Sequence, residues 1–210
     1  ALRELSSIAW YNVYVDRGME RVPVTWDELR EVMNKYKGHV IATTACMGGE
    51  LSTNAYMRSQ AEEVNDQANA KVYYDNIIRF MEYCINIFGD DFYVECAPST
   101  AEDQRITNAK LYQIAKAFGV KMVVGTDSHY LRPEDRPVHK AYLNSKGGER
   151  EVDSFYEFAY LMSYEEVKDL LMLSIGEFAE EVLNNTLEIK NKISWYSLER
   201  KQQVPKVEVT

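Results

Sequence analysis

Three short apolar runs, residues 40–44, 92–96 and 120–124, each end where a helical period or a turn begins, and this punctuation most constrains the fold. Long helical patterns separate them: 61–88, stopped by Gly89, and 103–118, stopped by Gly119. A short helix is expected at 49–57 between the first run and the first long pattern. The order is βαβαβ, which predicts a parallel sheet with helices packed outside it. Around this unit, 2–14 reads as a helix. Thr25-x-x-Glu28 is a capping box opening a helix over 26–36, and Ser163-x-x-Glu166 is a second one. Pro133 suits the first turn of a helix to 144, the stretch 147–151 reads as a loop, and 175–192 as a final helix. Beyond it, 194–210 loses periodicity and reads as a connector.

In a parallel sheet the loops after the strands gather at one edge, where α/β folds place their chemistry. The third run ends in Val123-Val124-Gly125-Thr126-Asp127-Ser128-His129-Tyr130. Residues i and i+2 of a strand point to the same side, so a carboxylate and an imidazole leaving this strand together can converge on one cation. The first run ends in Thr44-Ala45-Cys46-Met47-Gly48-Gly49-Glu50, which brings a thiol to the same edge. Cys46, Asp127 and His129 are therefore the candidate ligands of an open site for Zn²⁺ or Mn²⁺, which take mixed nitrogen, oxygen and sulfur donors. Glu50 and Glu95 are candidates for supporting the ligands, Glu50 being equally well a helix N-terminal carboxylate. His39 and His139 read as exposed or packing histidines. Cys84 and Cys96 read as small core residues.

Composition bounds the remainder. With 46% hydrophobic residues in 210, the chain can bury a substantial core, and no apolar run approaches the about 20 residues of a membrane span. Three cysteines without paired spacing or a secretory signal point to a reducing compartment, hence a cytoplasmic location. The net charge of −9 argues against this chain gripping nucleic acid through its own surface, since phosphate binding needs clustered Lys and Arg.

Six ordered blocks carry a family resemblance: Ala42-Thr43-Thr44-Ala45-Cys46-Met47-Gly48-Gly49-Glu50-Leu51; Phe88-Gly89-Asp90-Asp91-Phe92-Tyr93-Val94-Glu95; Asn108-x-x-Leu111; Gly125-Thr126-Asp127-Ser128-His129-Tyr130-Leu131-x-x-Glu134-Asp135; Tyr160-Leu161-Met162-Ser163-x-x-Glu166; and Asn185-Thr186-x-Glu188-Ile189. In this order they resemble the PHP (polymerase and histidinol phosphatase) domain of the bacterial-type DNA polymerase III alpha subunit. The resemblance implies an α/β fold, a distorted (β/α)7 TIM-like barrel with up to three metal ions at the carboxyl ends of its strands. Cys46, Asp127 and His129 fall on family positions that ligate metal.

The family's opening His-x-His motif has no counterpart, so the chain reads as the carboxyl-terminal two thirds of the domain: 1–192 an incomplete barrel with a helical extension, 193–210 a linker towards a polymerase body. Removal of the first strands predicts exposed sheet edges, covered by self-association or by the amino-terminal helix with Ile8, Trp10 and Tyr11. For the complete site the resemblance implies metal-assisted phosphoester hydrolysis, a proofreading 3′-5′ exonuclease in some polymerases, with Asp127 and His129 catalytic. For this chain it implies a single, weaker ion, DNA contact only through the parent protein, and no nucleotidyl transfer. A free-standing metal-dependent phosphoesterase and a non-catalytic scaffold remnant are the alternative readings.

Overall fold

The structure is a computed structural model that describes residues 1–12, 24–145, 156–197 and 199. In chain order it contains α1 (Leu2–Tyr11), α2 (Trp26–Lys35), β1 (Ala42–Thr43), α3 (Glu50–Glu63), α4 (Gln67–Phe88), β2 (Phe92–Cys96), α5 (Glu102–Phe118), β3 (Met122–Val124), α6 (Arg136–Asn144), α7 (Tyr164–Ile175) and α8 (Ala179–Lys192). The fold is mixed helix and parallel sheet. The order across the sheet is β1-β2-β3, with Ala42 opposite Phe92 and Cys96 opposite Val124, both ladders parallel.

Local chemistry accounts for most of the element ends. Thr25 and Ser163 each accept the backbone N–H three residues on, while Glu28 and Glu166 reach back to the cap N–H, so both capping boxes are complete. Gly119, at φ 66°, ends α5 in a left-handed cap, and the adjacent Val120 N–H closes onto Ala115 O at 2.9 Å. That bond takes the donor a strand would need, so β3 begins at Met122 rather than at the expected residue 120.

Two expected helices are divided. The 61–88 pattern breaks because Asn65 turns left-handed, at φ 57°, and Asp66 caps a new helix by accepting Asn69 N–H at 3.1 Å. Both residue types offer the backbone a local alternative to helix. The 175–192 pattern breaks at Gly176, whose φ of 57° with ψ of −132° is closed to residues with a Cβ; a 3-10 turn at Gly176–Phe178 then leads into α8. The helix expected at 49–57 instead runs on to Glu63. Pro133 opens a 3-10 turn before α6 rather than α6 itself. The loop expected at 147–151 lies outside the described residues, as does the end of the helix expected at 2–14.

The core lies between the sheet and α3, α4, α5, α7 and α8. It is built on Leu51, Ile77, Met81, Val94, Leu111, Leu171 and Val182, all at most 2% exposed. A smaller cluster joins α1 and α2 to the end of α4, with Leu5 and Ile8 against Val32, Met33 and Ile87. Glu4 ties α1 to Lys35 and Tyr36, both contacts at 2.9 Å. The amino-terminal helix thus packs on α2, and Trp10 and Tyr11 remain exposed rather than covering the sheet.

The outer edge of β3 is covered by α8. Asn185 Nδ2 donates to Met122 O at 2.9 Å, and Val124 N–H donates to Thr186 Oγ1 at 3.2 Å. Past β3 the chain makes an isolated parallel bridge, Tyr130 to Tyr160.

Candidate functional site

The loops after all three strands meet at the carboxyl edge. Thr44 Oγ1 accepts Glu95 N–H at 2.9 Å, extending the β1–β2 ladder through a side chain. Gly125 N–H donates to Cys96 O at 2.9 Å, extending β2–β3 in the same sense. Asn108, 1% exposed on α5, holds the loop after β2 from both sides: its amide nitrogen donates to Ala97 O at 2.8 Å and its oxygen accepts Ala97 N–H at 3.4 Å. Asn108 thereby replaces a neighbouring strand for the segment leading to Pro98.

Two residues with side chains sit in the left-handed region here, Ala45 at φ 58° and Asp127 at φ 46°. They immediately precede or constitute the candidate ligands. Such conformations cost about 1–3 kcal/mol and concentrate where a site dictates the backbone. Between these loops lies a cavity of about 150 Å³, lined by Cys46, Met47, Pro98, Ser99, Gln104, Thr126 and Asp127 among others. The structure thus brings Cys46 and Asp127 to one pocket, from two strand ends 81 residues apart in sequence by subtraction of their numbers.

His129 is turned elsewhere. Its Nδ1 lies 2.6 Å from Asp127 O and 4.0 Å from Asp127 Oδ1. A carbonyl only accepts, so Nδ1 is the donor in this contact. The ring packs against Tyr156, with centroids 4.9 Å apart, and His139, at 5.6 Å. His139 also meets Tyr156 at 4.8 Å and Tyr130 at 5.6 Å. Burial, and then the neighbouring His129, push the His139 imidazole below its ordinary range. The reading of His139 as a packing histidine therefore holds, but the residue it packs on is a candidate ligand. The sequence signal was available only as a His ten residues further on, with no period linking the two.

The other candidates are placed as follows. Glu50 is exposed in the first turn of α3, where its carboxylate meets the helix dipole. Glu95 is half-buried on β2, and its carboxylate lies over Gly125, in space that a Cβ at 125 would occupy. Cys84 and Cys96 are buried, 4% and 2% exposed, and burial pushes both thiols up, that of Cys84 to about 12. Neither suits a thiolate ligand. His39 is exposed, before β1 and away from this edge.

Zinc or manganese would need three donors within reach of one another. Among the described residues no three His, Cys, Asp or Glu side chains are so grouped. As placed, Cys46 and Asp127 share a pocket, and Asp127 and His129 share a turn, but the three do not compose one ligand set.

Comparison with known proteins gives the chain its relatives. No family model matches it. Over 209 residues, 99% of the chain, it is 40% identical to the probable DNA polymerase YorL of Bacillus subtilis (strain 168). It is equally similar to the DNA-directed DNA polymerase of Bacillus phage SPbeta. Over 173 residues, 78% of the chain, it is 31% identical to the DNA polymerase III subunit alpha of Helicobacter pylori (strain J99 / ATCC 700824). The chain spans 16% of the length of the first two relatives and 13% of the third. It is related to one segment of much longer DNA polymerases, over almost all of its length for the first two and over 78% of it for the DNA polymerase III subunit alpha.

Proposed function

We propose that the chain is the PHP-domain portion of a replicative DNA polymerase III alpha subunit, serving DNA replication as part of a DNA-directed DNA polymerase. The observation that carries this reading is the 40% identity to a DNA polymerase over 209 residues, 99% of the chain, a span that takes in the blocks of the resemblance. In this reading the three parallel strands belong to a distorted (β/α)7 barrel, residues 193–210 lead towards the polymerase body, and DNA is contacted through that body. A cytoplasmic location goes with this reading; no helix among the described residues is long and apolar enough to cross a membrane.

Phosphoester hydrolysis or proofreading would need the metal site in working form. A single Zn²⁺ or Mn²⁺ ion at Cys46, Asp127 and His129 remains part of the proposal as a weak site, because His129 has to leave its hydrogen bond and its aromatic neighbours to join the other two. That orientation favours a supporting role over hydrolysis for this chain. Its residues hold the strand-end loops: Asn108 fixes Ala97, Thr44 fixes Glu95, and Asn185 and Thr186 fix β3.

Incubation of the pure 210-residue chain with a primed template, a 3′-labelled single strand and a small phosphomonoester, each with Zn²⁺ or Mn²⁺, tests the reading. The expected result is no extension and at most slow hydrolysis. Primer extension by this chain, or rapid turnover of the phosphomonoester, would replace the proposal, the latter by a free-standing phosphoesterase.

A further inference from the structure

Away from the strand-end loops, a cavity of about 240 Å³ lies between α3, α4 and α5. It shares no lining residue with the Cys46 pocket. Each helix lines it with every third or fourth residue, from Ala55 to Glu62 on α3, from Tyr74 to Ile78 on α4 and from Lys110 to Ala117 on α5. Side chains at that spacing share one helix face, so three faces converge here. Ala55, Ser59 and Ala117 are the small members of the lining, and they leave between α3 and α5 the space that longer side chains would fill.

The inner and outer parts of the cavity differ in chemistry. Ile77, 2% exposed, and the half-buried Ile78 and Ile114 make its floor apolar. At its mouth two cations share one carboxylate: Arg58 Nε donates to Glu62 Oε1 at 2.8 Å, and Lys110 Nζ lies 3.6 Å from Glu62 Oε2. The Arg58 guanidinium carbon also lies 4.8 Å from the centre of the Tyr74 ring, a cation–π contact that holds the group over the opening. Its two terminal nitrogens make no hydrogen bond among the described residues. A carboxylate is the acceptor whose two oxygens match such a fork of donors. The three side chains leave the mouth with one net positive charge, on a chain whose own net charge is −9.

We propose that this cavity binds a small carboxylate with an apolar body, of the fatty-acid or arylcarboxylate type, the body on Ile77 and Ile114 and the carboxylate at Arg58 and Lys110. An apolar cavity of about 150 Å³ takes up benzene, so one of about 240 Å³ has room for a ring or a short alkyl chain. One carboxylate balances the charge of the mouth, whereas a doubly charged phosphate would bring a surplus negative charge beside Glu62. A cationic ligand would find Glu62 held by two cations and the Tyr74 ring covered by Arg58. Apolar walls with a few placed polar groups are the usual make-up of a small-molecule site. The site is independent of the polymerase reading, since its binding is measured without DNA or metal.

The test is calorimetric titration of the full 210-residue chain with octanoate, with its uncharged counterpart octanamide and with octyl phosphate, for the wild type, Arg58→Gln, Ala117→Phe and Lys35→Gln. Ala117 is exposed at the edge of the cavity, so Ala117→Phe fills the space from outside the core. An unchanged urea midpoint shows that each variant folds. The expected result is one octanoate per chain, with octanamide and octyl phosphate each weaker. Octanoate affinity should fall by about tenfold in Arg58→Gln, which loses the charge-assisted bonds, vanish in Ala117→Phe and stay unchanged in Lys35→Gln, on α2. No saturable binding, equal affinity for octanamide, tighter binding of octyl phosphate, or wild-type affinity in Ala117→Phe overturns the proposal. Should a variant fail to fold, methyl resonances of the wild type decide. Octanoate-induced shifts at Ala55, Ile77 and Ala117 support the site, and shifts elsewhere alone, or none, reject it.

Discussion

Thr186 Oγ1 accepts the backbone N–H of Val124 at 3.2 Å, and the neighbouring Asn185 donates to Met122 O at 2.9 Å. A helix cannot offer its own backbone to a strand, so α8 uses two side chains in place of the next strand's ladder. The β3 edge is thereby satisfied, which lowers its tendency to pair with another chain. Asn185→Ala leaves the half-buried Met122 carbonyl unpaired and should cost about 1–3 kcal/mol. For a chain of this size each kcal/mol lowers Tm by about 2–4 °C. Calorimetry of this variant against Asn184→Ala, at an exposed position on the same helix, measures the difference.

Ala45 and Gly49 make opposite demands on the Cys46 loop. Ala45 holds φ at 58°, a region costing a residue with a Cβ about 1–2 kcal/mol, whereas glycine's extra unfolded-state freedom costs about 0.5–1 kcal/mol. Ala45→Gly should therefore stabilise the chain by about 0.5–1 kcal/mol, by difference of those terms. Gly49 stands where a Cβ would collide with Thr44 O and lie 3.0 Å from Cys46 O, both backbone atoms that cannot step aside. Gly49→Ala should cost about 1–3 kcal/mol as an overpacking change. At Gly125 the obstacle is the mobile end of Glu95, so Gly125→Ala should cost less than Gly49→Ala. Urea unfolding of the three variants gives the order, and a destabilised Ala45→Gly would refute the strain argument.

The three thiols should differ in reactivity. Cys46 is half-buried beside a cavity, whereas Cys84 and Cys96 are in the core, with the Cys84 thiol pushed up to about 12 by burial. At pH 8 an aromatic disulfide reagent should titrate one thiol in the folded chain and three after denaturation. Because the folded-state value of Cys84 is raised, the neutral thiol favours folding fully below the unfolded value of about 8.5 and loses that advantage as pH climbs towards the folded one. Fast labelling of two or three thiols in native buffer would contradict the core placement.

Acid should loosen α7 first at its start. Glu166 is held below the ordinary carboxylate range by the Ser163 backbone N–H, then by the Ser163 hydroxyl and Tyr160. Glu188 is lowered as well, by Lys121 and then Tyr93. A depressed carboxylate contributes stability that is complete above its unfolded value, about 4.3, and is lost as pH falls through the folded one. The urea midpoint should accordingly fall below about pH 4.3, following the smaller loss that the lowered His139 brings as pH drops below about 6.5. Glu166→Gln should fall less steeply there; an identical slope would mean that the capping box carries no acid sensitivity.

What local sequence determined was the alternation of strands and helices and most of the stops. Thr25 with Glu28, Ser163 with Glu166, and Gly119 act within a few residues of themselves, so their effects were legible without the fold. Asn65 and Gly176 acted as locally, although the continuous apolar periods around them concealed the breaks. The pairing of Cys46 with Asp127 in one pocket was legible too, because parallel strands deliver their ends to one edge. The direction of His129 was decided only by the tertiary structure. The same-side rule for residues i and i+2 holds along a strand, but β3 ends at Val124 and Asp127 turns left-handed, so the alternation no longer applies at the candidate ligands. Contacts with Ala159, Tyr156 and His139, from segments 10 to 30 residues further along the chain, then set where the imidazole lies. No spacing rule spans such separations, because they are closed by packing rather than by backbone geometry.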